Sequence, residues 1–87
     1  MKHPEVTTEL HVIARAPFTL YYEGPATSLS ATNKVGQFDI LPGHADFFSV
    51  LNPGEIVIET GGEPVSFTIN NGILTVRDNQ AMLFVNM

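Results

Sequence analysis

From Leu10 onward the chain alternates between apolar and polar positions. Leu10, Val12, Ala14 and Ala16 are separated by His11, Ile13 and Arg15, the period-two pattern of a strand with one face turned inward. Pro17 ends that run or marks a sheet edge. Phe18, Leu20 and Tyr22 then alternate with Thr19, Tyr21 and Glu23 until Gly24-Pro25 closes the strand, and Thr27, Leu29 and Ala31 alternate with Ser28 and Ser30. Thr32-Asn33-Lys34 reads as a hairpin tip from which Val35 to Leu41 returns. Between Ala45 and Leu51, the adjacent Phe47 and Phe48 place a large side chain on both faces of a short strand. Ile56 and Ile58 lie on one side of Gly61-Gly62, with Val65, Phe67 and Ile69 on the other, which predicts a hairpin. Asn70-Asn71-Gly72 and Asp78-Asn79 give two further hairpin signals around Ile73 to Arg77 and Gln80 to Val85, because these residues tolerate positive φ. The pattern predicts an all-β fold, an antiparallel β-sandwich or flattened barrel of about ten short strands, with residues 1–8 a flexible lead-in.

Two Pro-Gly pairs punctuate the middle of the chain. In Leu41-Pro42-Gly43-His44, Pro at the first central position and Gly at the second predict a type II turn, whose second central residue needs positive φ. Pro53-Gly54 makes the same demand eleven residues later, pinning Ala45 to Asn52 between two reversals.

At 87 residues the chain is expected to be one domain (1–87), of a size that buries a little over ~60% of its unfolded surface. Four Lys and Arg against nine Asp and Glu give a net charge of −5, which repels phosphate backbones and anionic lipid, so no nucleic acid is expected as a partner. No apolar run approaches the ~18 residues that span a bilayer, so direct membrane insertion is not expected either. Without cysteine there is no disulfide, thiolate nucleophile or cysteine metal site. The first residues, Met1-Lys2-His3-Pro4-Glu5, lack the layout of a signal peptide, which makes the cytoplasm the default location.

Candidate chemistry is sparse. His3, His11 and His44 show no metal-ligand spacing, and His44 is expected to hydrogen-bond nearby backbone in its turn. Asp39, Asp46, Glu55 and Glu59 are the acids available for an acid–base pair, but the sequence gives no cleft to hold one. No serine lies in a Gly-x-Ser-x-Gly turn, and Gly61-Gly62 lacks the Lys-Ser and helix of a phosphate cradle. Neither catalytic residues nor a cofactor are expected. By contrast, alternation turns Ile13, Tyr21, Val57, Ile73, Met82 and Phe84 outward, and on neighbouring strands such residues are expected to make either a contiguous partner surface or a face covered within the fold that caps the core.

The block Gly36-Gln37-Phe38-Asp39-Ile40-Leu41-Pro42-Gly43-His44, followed by Pro53-Gly54, resembles the amino-terminal β-sandwich domain of the epsilon subunit of F-type ATP synthases. The resemblance extends to Leu10-His11-Val12, Tyr22-Glu23-Gly24 and Asn71-Gly72-Ile73-Leu74-Thr75-Val76, and so spans roughly Leu10 to Val85. Those subunits usually continue into a helical hairpin, for which this sequence has no matching segment. The resemblance implies a non-catalytic rotor part of a proton- or sodium-translocating ATP synthase, linking the gamma subunit to the polar loops of the c-ring. It would sit on the cytoplasmic, inner face of the energy-coupling membrane, held there through the complex. Lys34, Val35, Gly36 and Gln37, with His44, match the block implied to face the c-ring, and Met82 and Phe84 are expected to face gamma. Asp39 stands where a Gly is common, Asp46 where a Pro follows His-Ala, Phe47-Phe48 where a Leu pair occurs, and Gln37 where many members carry an acid. The alternative is a free-standing protein-binding β-sandwich that has lost the rotor role; a small enzyme is the weaker third.

Overall fold

A computed structural model describes residues 9–86; the expected lead-in, His3 and Met87 lie outside the described residues. Among the described residues nine strands follow in order, in keeping with the expected number: β1 (Leu10–Ala16), β2 (Thr19–Ala26), β3 (Ser28–Asn33), β4 (Gly36–Ile40), β5 (Phe47–Leu51), β6 (Gly54–Glu59), β7 (Val65–Ile69), β8 (Asn71–Arg77) and β9 (Gln80–Asn86). They form a five-stranded sheet, β2-β1-β9-β8-β5, and a four-stranded sheet, β4-β3-β6-β7. The sheets pack as an open sandwich and do not close into a barrel. Every pairing is antiparallel except β1 with β9, which is parallel.

The predicted inward positions of β1, β6, β8 and β9 are buried: Leu10, Val12 and Ala14; Ile56 and Ile58; Leu74 and Val76; Ala81, Leu83 and Val85. With Leu29, Ala31, Ile40, Leu51 and Ile69 they make a wholly aliphatic core, each larger side chain contributing about 1.5–3 kcal/mol by leaving water. Aromatic rings occupy the seams. The edge strands are β2 and β5 in one sheet and β4 and β7 in the other, and each seam is bridged by a ring pair from two of them. Tyr21 of β2 stacks on Phe67 of β7 at 4.6 Å, and Phe38 of β4 meets Phe47 of β5 at 5.5 Å. A flat side chain long enough to cross the gap between sheets excludes water there, and the ring pair adds about 0.5–1.5 kcal/mol.

Strand β2 departs from simple alternation. A bulge shifts its register so that Ala14 pairs with Tyr22 but Arg15 with Leu20, leaving Tyr21 as the extra residue. The bulge separates Tyr22, which is half-buried, from Leu20, which faces outward and is exposed along with Phe18. Tyr21, expected outward, instead seals a seam. Nor does Gly24-Pro25 close the strand: β2 runs through it, with Pro25 opposite His11, because an edge strand tolerates a residue without an N–H.

Two expected reversals are crossings between the sheets. Gly54 does not adopt positive φ and opens β6, so Pro53-Gly54 carries the chain from the five-stranded to the four-stranded sheet, anchored by the Asn52 N–H on the Thr32 carbonyl at 2.9 Å. Asn70-Asn71-Gly72 likewise joins β7 to β8 in the opposite sheet, and neither asparagine has positive φ. Gly72 is needed there for close approach: a Cβ would lie 2.8 Å from the Phe84 carbonyl oxygen. Two further turn expectations hold. Gly43 has φ +80° and the His44 N–H donates to the Leu41 carbonyl at 3.1 Å, closing a type II turn, while Asp78 and Asn79 at +51° and +63° make the β8–β9 hairpin.

Candidate functional site

The block Gly36 to His44 lies along the seam where β4 meets β5. Lys34 and Val35 form the tip between β3 and β4, and Val35 is 89% exposed. Asn33 holds that tip: its Oδ1 accepts the Val35 N–H at 2.9 Å and the Gly36 N–H at 3.3 Å, while its Nδ2 donates to Ser49 Oγ on β5 at 3.2 Å. The tip is thereby tied to the opposite sheet. The sequence places Asn33 in the hairpin tip, where an asparagine opening an Asn-x-x-Gly stretch is an Asx-turn signal, but its bond to Ser49 is not legible from local pattern.

His44 lies on the same seam. Its Nδ1 donates to the Ala45 carbonyl at 2.7 Å, as expected for a turn histidine, and its ring edge meets Phe47 with centroids 5.4 Å apart. Val35, Gly36, Gln37 and His44 line one shallow depression of about 280 Å³, floored by Phe38 and Phe47. Four of the five residues implied to face the c-ring thus share one surface, with Lys34 beside them at the tip.

The Pro-Gly turn is fixed from outside by Asn79. Asn79 Oδ1 accepts the Gly43 N–H at 2.8 Å, its Nδ2 donates to the Glu9 carbonyl, and its own carbonyl accepts the His11 N–H at 3.1 Å. One side chain in a tight hairpin therefore holds the turn before His44 and the start of β1 together, a bond across 36 residues that local pattern does not reveal.

Met82 and Phe84 belong to a second surface, the outer face of the five-stranded sheet. Register aligns Val50, Ile73, Phe84, Arg15 and Leu20 in one row across all five strands, and Phe48, Thr75, Met82, Ile13 and Glu23 in the next. The four apolar members of the first row are each between 44% and 60% exposed. A third row, Arg77, Gln80, His11 and Pro25, is largely polar and bounds the patch. Of the residues expected in this patch, Tyr21 is lost to the seam and Val57 faces outward from the other sheet, whereas Phe48, Val50 and Leu20 join it.

The acids form no working pair. Asp39 accepts from Ser30 Oγ at 2.6 Å, Asp46 accepts the Asp78 N–H at 3.4 Å, and Glu55 and Glu59 stand opposite Thr68 and Ser28. Among the described residues no three His, Cys, Asp or Glu side chains gather as a metal site, and no helix is long and apolar enough to cross a membrane.

Comparison with known proteins places this geometry. Residues 9–87 match the model of the ATP synthase delta/epsilon chain β-sandwich domain. An ATP synthase epsilon chain from Nitratiruptor is 36% identical over 80 residues, covering 91% of this chain and 60% of the relative, and one from Trichlorobacter lovleyi is 35% identical over 69 residues, covering 79% and 50%. The chain thus spans half or somewhat more of these relatives. In fold it is similar to a chain of the Euglena gracilis mitochondrial ATP synthase OSCP/F1/c-ring structure, with TM-score 0.86 and 17% identity over 99% of this chain and 56% of that one. It is also similar to a chain of the Tetrahymena thermophila mitochondrial ATP synthase central stalk/c-ring, with TM-score 0.81 and 21% identity over 88% and 63%. With the family model matched from Glu9 to the last residue, this chain belongs to the ATP synthase delta/epsilon β-sandwich domain family.

Proposed function

We propose that the domain is a non-catalytic central-stalk component of a proton- or sodium-translocating F-type ATP synthase, joining the gamma subunit to the c-ring. The observation that carries this reading is the in-register apolar face of the five-stranded sheet, on a chain of the delta/epsilon family. A row of apolar side chains left in water on a small domain is a surface built to be covered. In this reading gamma covers Met82 and Phe84, while the tip at Lys34 to Gln37 and His44 meet the polar loops of the ring. The two surfaces lie on different parts of the sandwich, as a link between two bodies requires. In this reading the domain is held at the inner face of the membrane through these partners.

The test is a calorimetric titration of the domain against the gamma subunit encoded with it. Association that is lost in Met82→Asp, which buries an unpaired charge at the contact, supports the reading. No association of the wild-type domain at tens of micromolar overturns it and favours a free-standing binding module.

A further inference from the structure

Arg15 stands inside the apolar face rather than at its rim. Its neighbours in the plane of the sheet are Phe84 on β9, Leu20 on β2, and Ile13 two residues earlier on its own strand. Beyond the strand end comes Pro17, which lines with Arg15, Ile73 and Phe84 a depression of about 760 Å³ that includes no carboxylate among its lining residues. The neighbours of this cation along and across the strands are therefore apolar, and the depression adds only the neutral amides of Asn71 and Asn86 as polar side chains. Glu23, the carboxylate on the same face of β2, stands opposite Ile13, one row away. Of the Lys and Arg among the described residues, Arg15 alone is placed among exposed apolar side chains in this way: Lys34 is at the opposite sheet's tip and Arg77 is in the polar row.

A partner that covers Leu20, Phe84 and Ile73 also strips water from Arg15. Leaving a guanidinium dry and unpaired is far more costly than the apolar contacts around it are favourable, so a covered Arg15 needs an acceptor from the partner. A carboxylate matches the planar fork of the guanidinium with two parallel hydrogen bonds. We propose that the gamma segment seated on this face presents an Asp or Glu to Arg15, and that this pair sets the register and specificity of docking. The proposal rests on the stalk reading given above, and names the chemistry of its partner.

Titration of gamma with wild-type, Arg15→Gln and Arg77→Gln domains at several salt concentrations tests it. Arg15→Gln keeps the length and hydrogen-bonding capacity of the side chain and removes its charge; far-UV circular dichroism checks that the exposed-face change leaves the fold intact. The expected result is binding weakened about tenfold or more by Arg15→Gln, with a shallower salt dependence, and nearly unchanged by Arg77→Gln. Equal affinity and equal salt dependence for Arg15→Gln and wild type would overturn the pairing while leaving the stalk reading intact. Equal weakening by both substitutions would also overturn it, since that is the signature of net charge alone. Absence of wild-type binding would remove the stalk reading and the pairing together.

Discussion

The two outer faces of the sandwich both belong to sheets of short strands, yet they meet solvent differently. On the five-stranded sheet the outward rows carry Val50, Ile73, Phe84 and Leu20, then Phe48, Met82 and Ile13. On the four-stranded sheet the corresponding row reads Asp39, Ser30, Val57 and Ser66, flanked by Glu55, Thr68, Glu59 and Ser28, with Ser30 bonded to Asp39. Val57 is the lone large apolar residue there, surrounded by groups that water already satisfies. Both sheets bury an aliphatic inner face, so stability does not require the difference. The apolar outer face lowers solubility without adding to the core, and a chain keeps such a face where something binds it.

The comparison sharpens along a single strand. In β8, Leu74 points inward and Ile73 outward. Leu74→Ala is expected to cost about 2–5 kcal/mol, and Ile73→Ala under about 1 kcal/mol, in the denaturant-derived stability of the free domain. Comparable costs would mean that the outer row is part of the core. Next in size, Phe84→Asp is expected to weaken gamma binding by about 2 kcal/mol or more, whereas Val57→Asp on the opposite face leaves it unchanged. If both lose binding equally in the same titration, the faces are not functionally distinct.

The seam offers a third contrast. Gly43→Val forces a β-branched residue to φ +80° and is expected to destabilise the domain by about 1–3 kcal/mol, lowering the melting temperature before it affects any partner. A retained melting temperature would show that the turn relaxes. The smallest effect is expected at the hairpin tip. Lys34→Glu changes an exposed polar contact and should weaken attachment to reconstituted c-ring by under about 1 kcal/mol, progressively less as salt rises, with gamma binding intact.

Legibility in the sequence followed the range of the interaction. Alternation along β1, β8 and β9 identified which residues face outward, because a period of two is a local property of the strand. Met82 and Phe84 were found this way. The Asp78-Asn79 hairpin and the Gly43 turn were legible for the same reason. Tyr21 was misplaced because a bulge is an agreement between two strands, invisible in one of them. Gly72 looked like a turn residue, yet its lack of a side chain answers to the Phe84 carbonyl on the neighbouring strand. Asn79 reaches residues far away in the sequence and Asn33 reaches the opposite sheet, so only their turn propensity was visible. At the candidate surfaces, the membership of Val50 and Phe48 depended on knowing that β5 lies beside β8.

Strand β9 occupies the middle of its sheet, between β1 and β8, and it is the last of the nine to leave a ribosome. The four-stranded sheet draws on a continuous stretch, 28–69, apart from the excursion through β5, so its pairings can form as the chain emerges. The five-stranded sheet cannot. Its β1 waits with one edge bare until a strand some seventy positions downstream arrives, and closing so long a loop delays pairing even though each doubling of length adds only about 0.6 kcal/mol. Until then the aliphatic face of the first sheet has half a lid. Completion of the sheet, covering of the core and assembly of the row containing Phe84 therefore all depend on β9, the strand whose pairing with β1 spans the greatest separation.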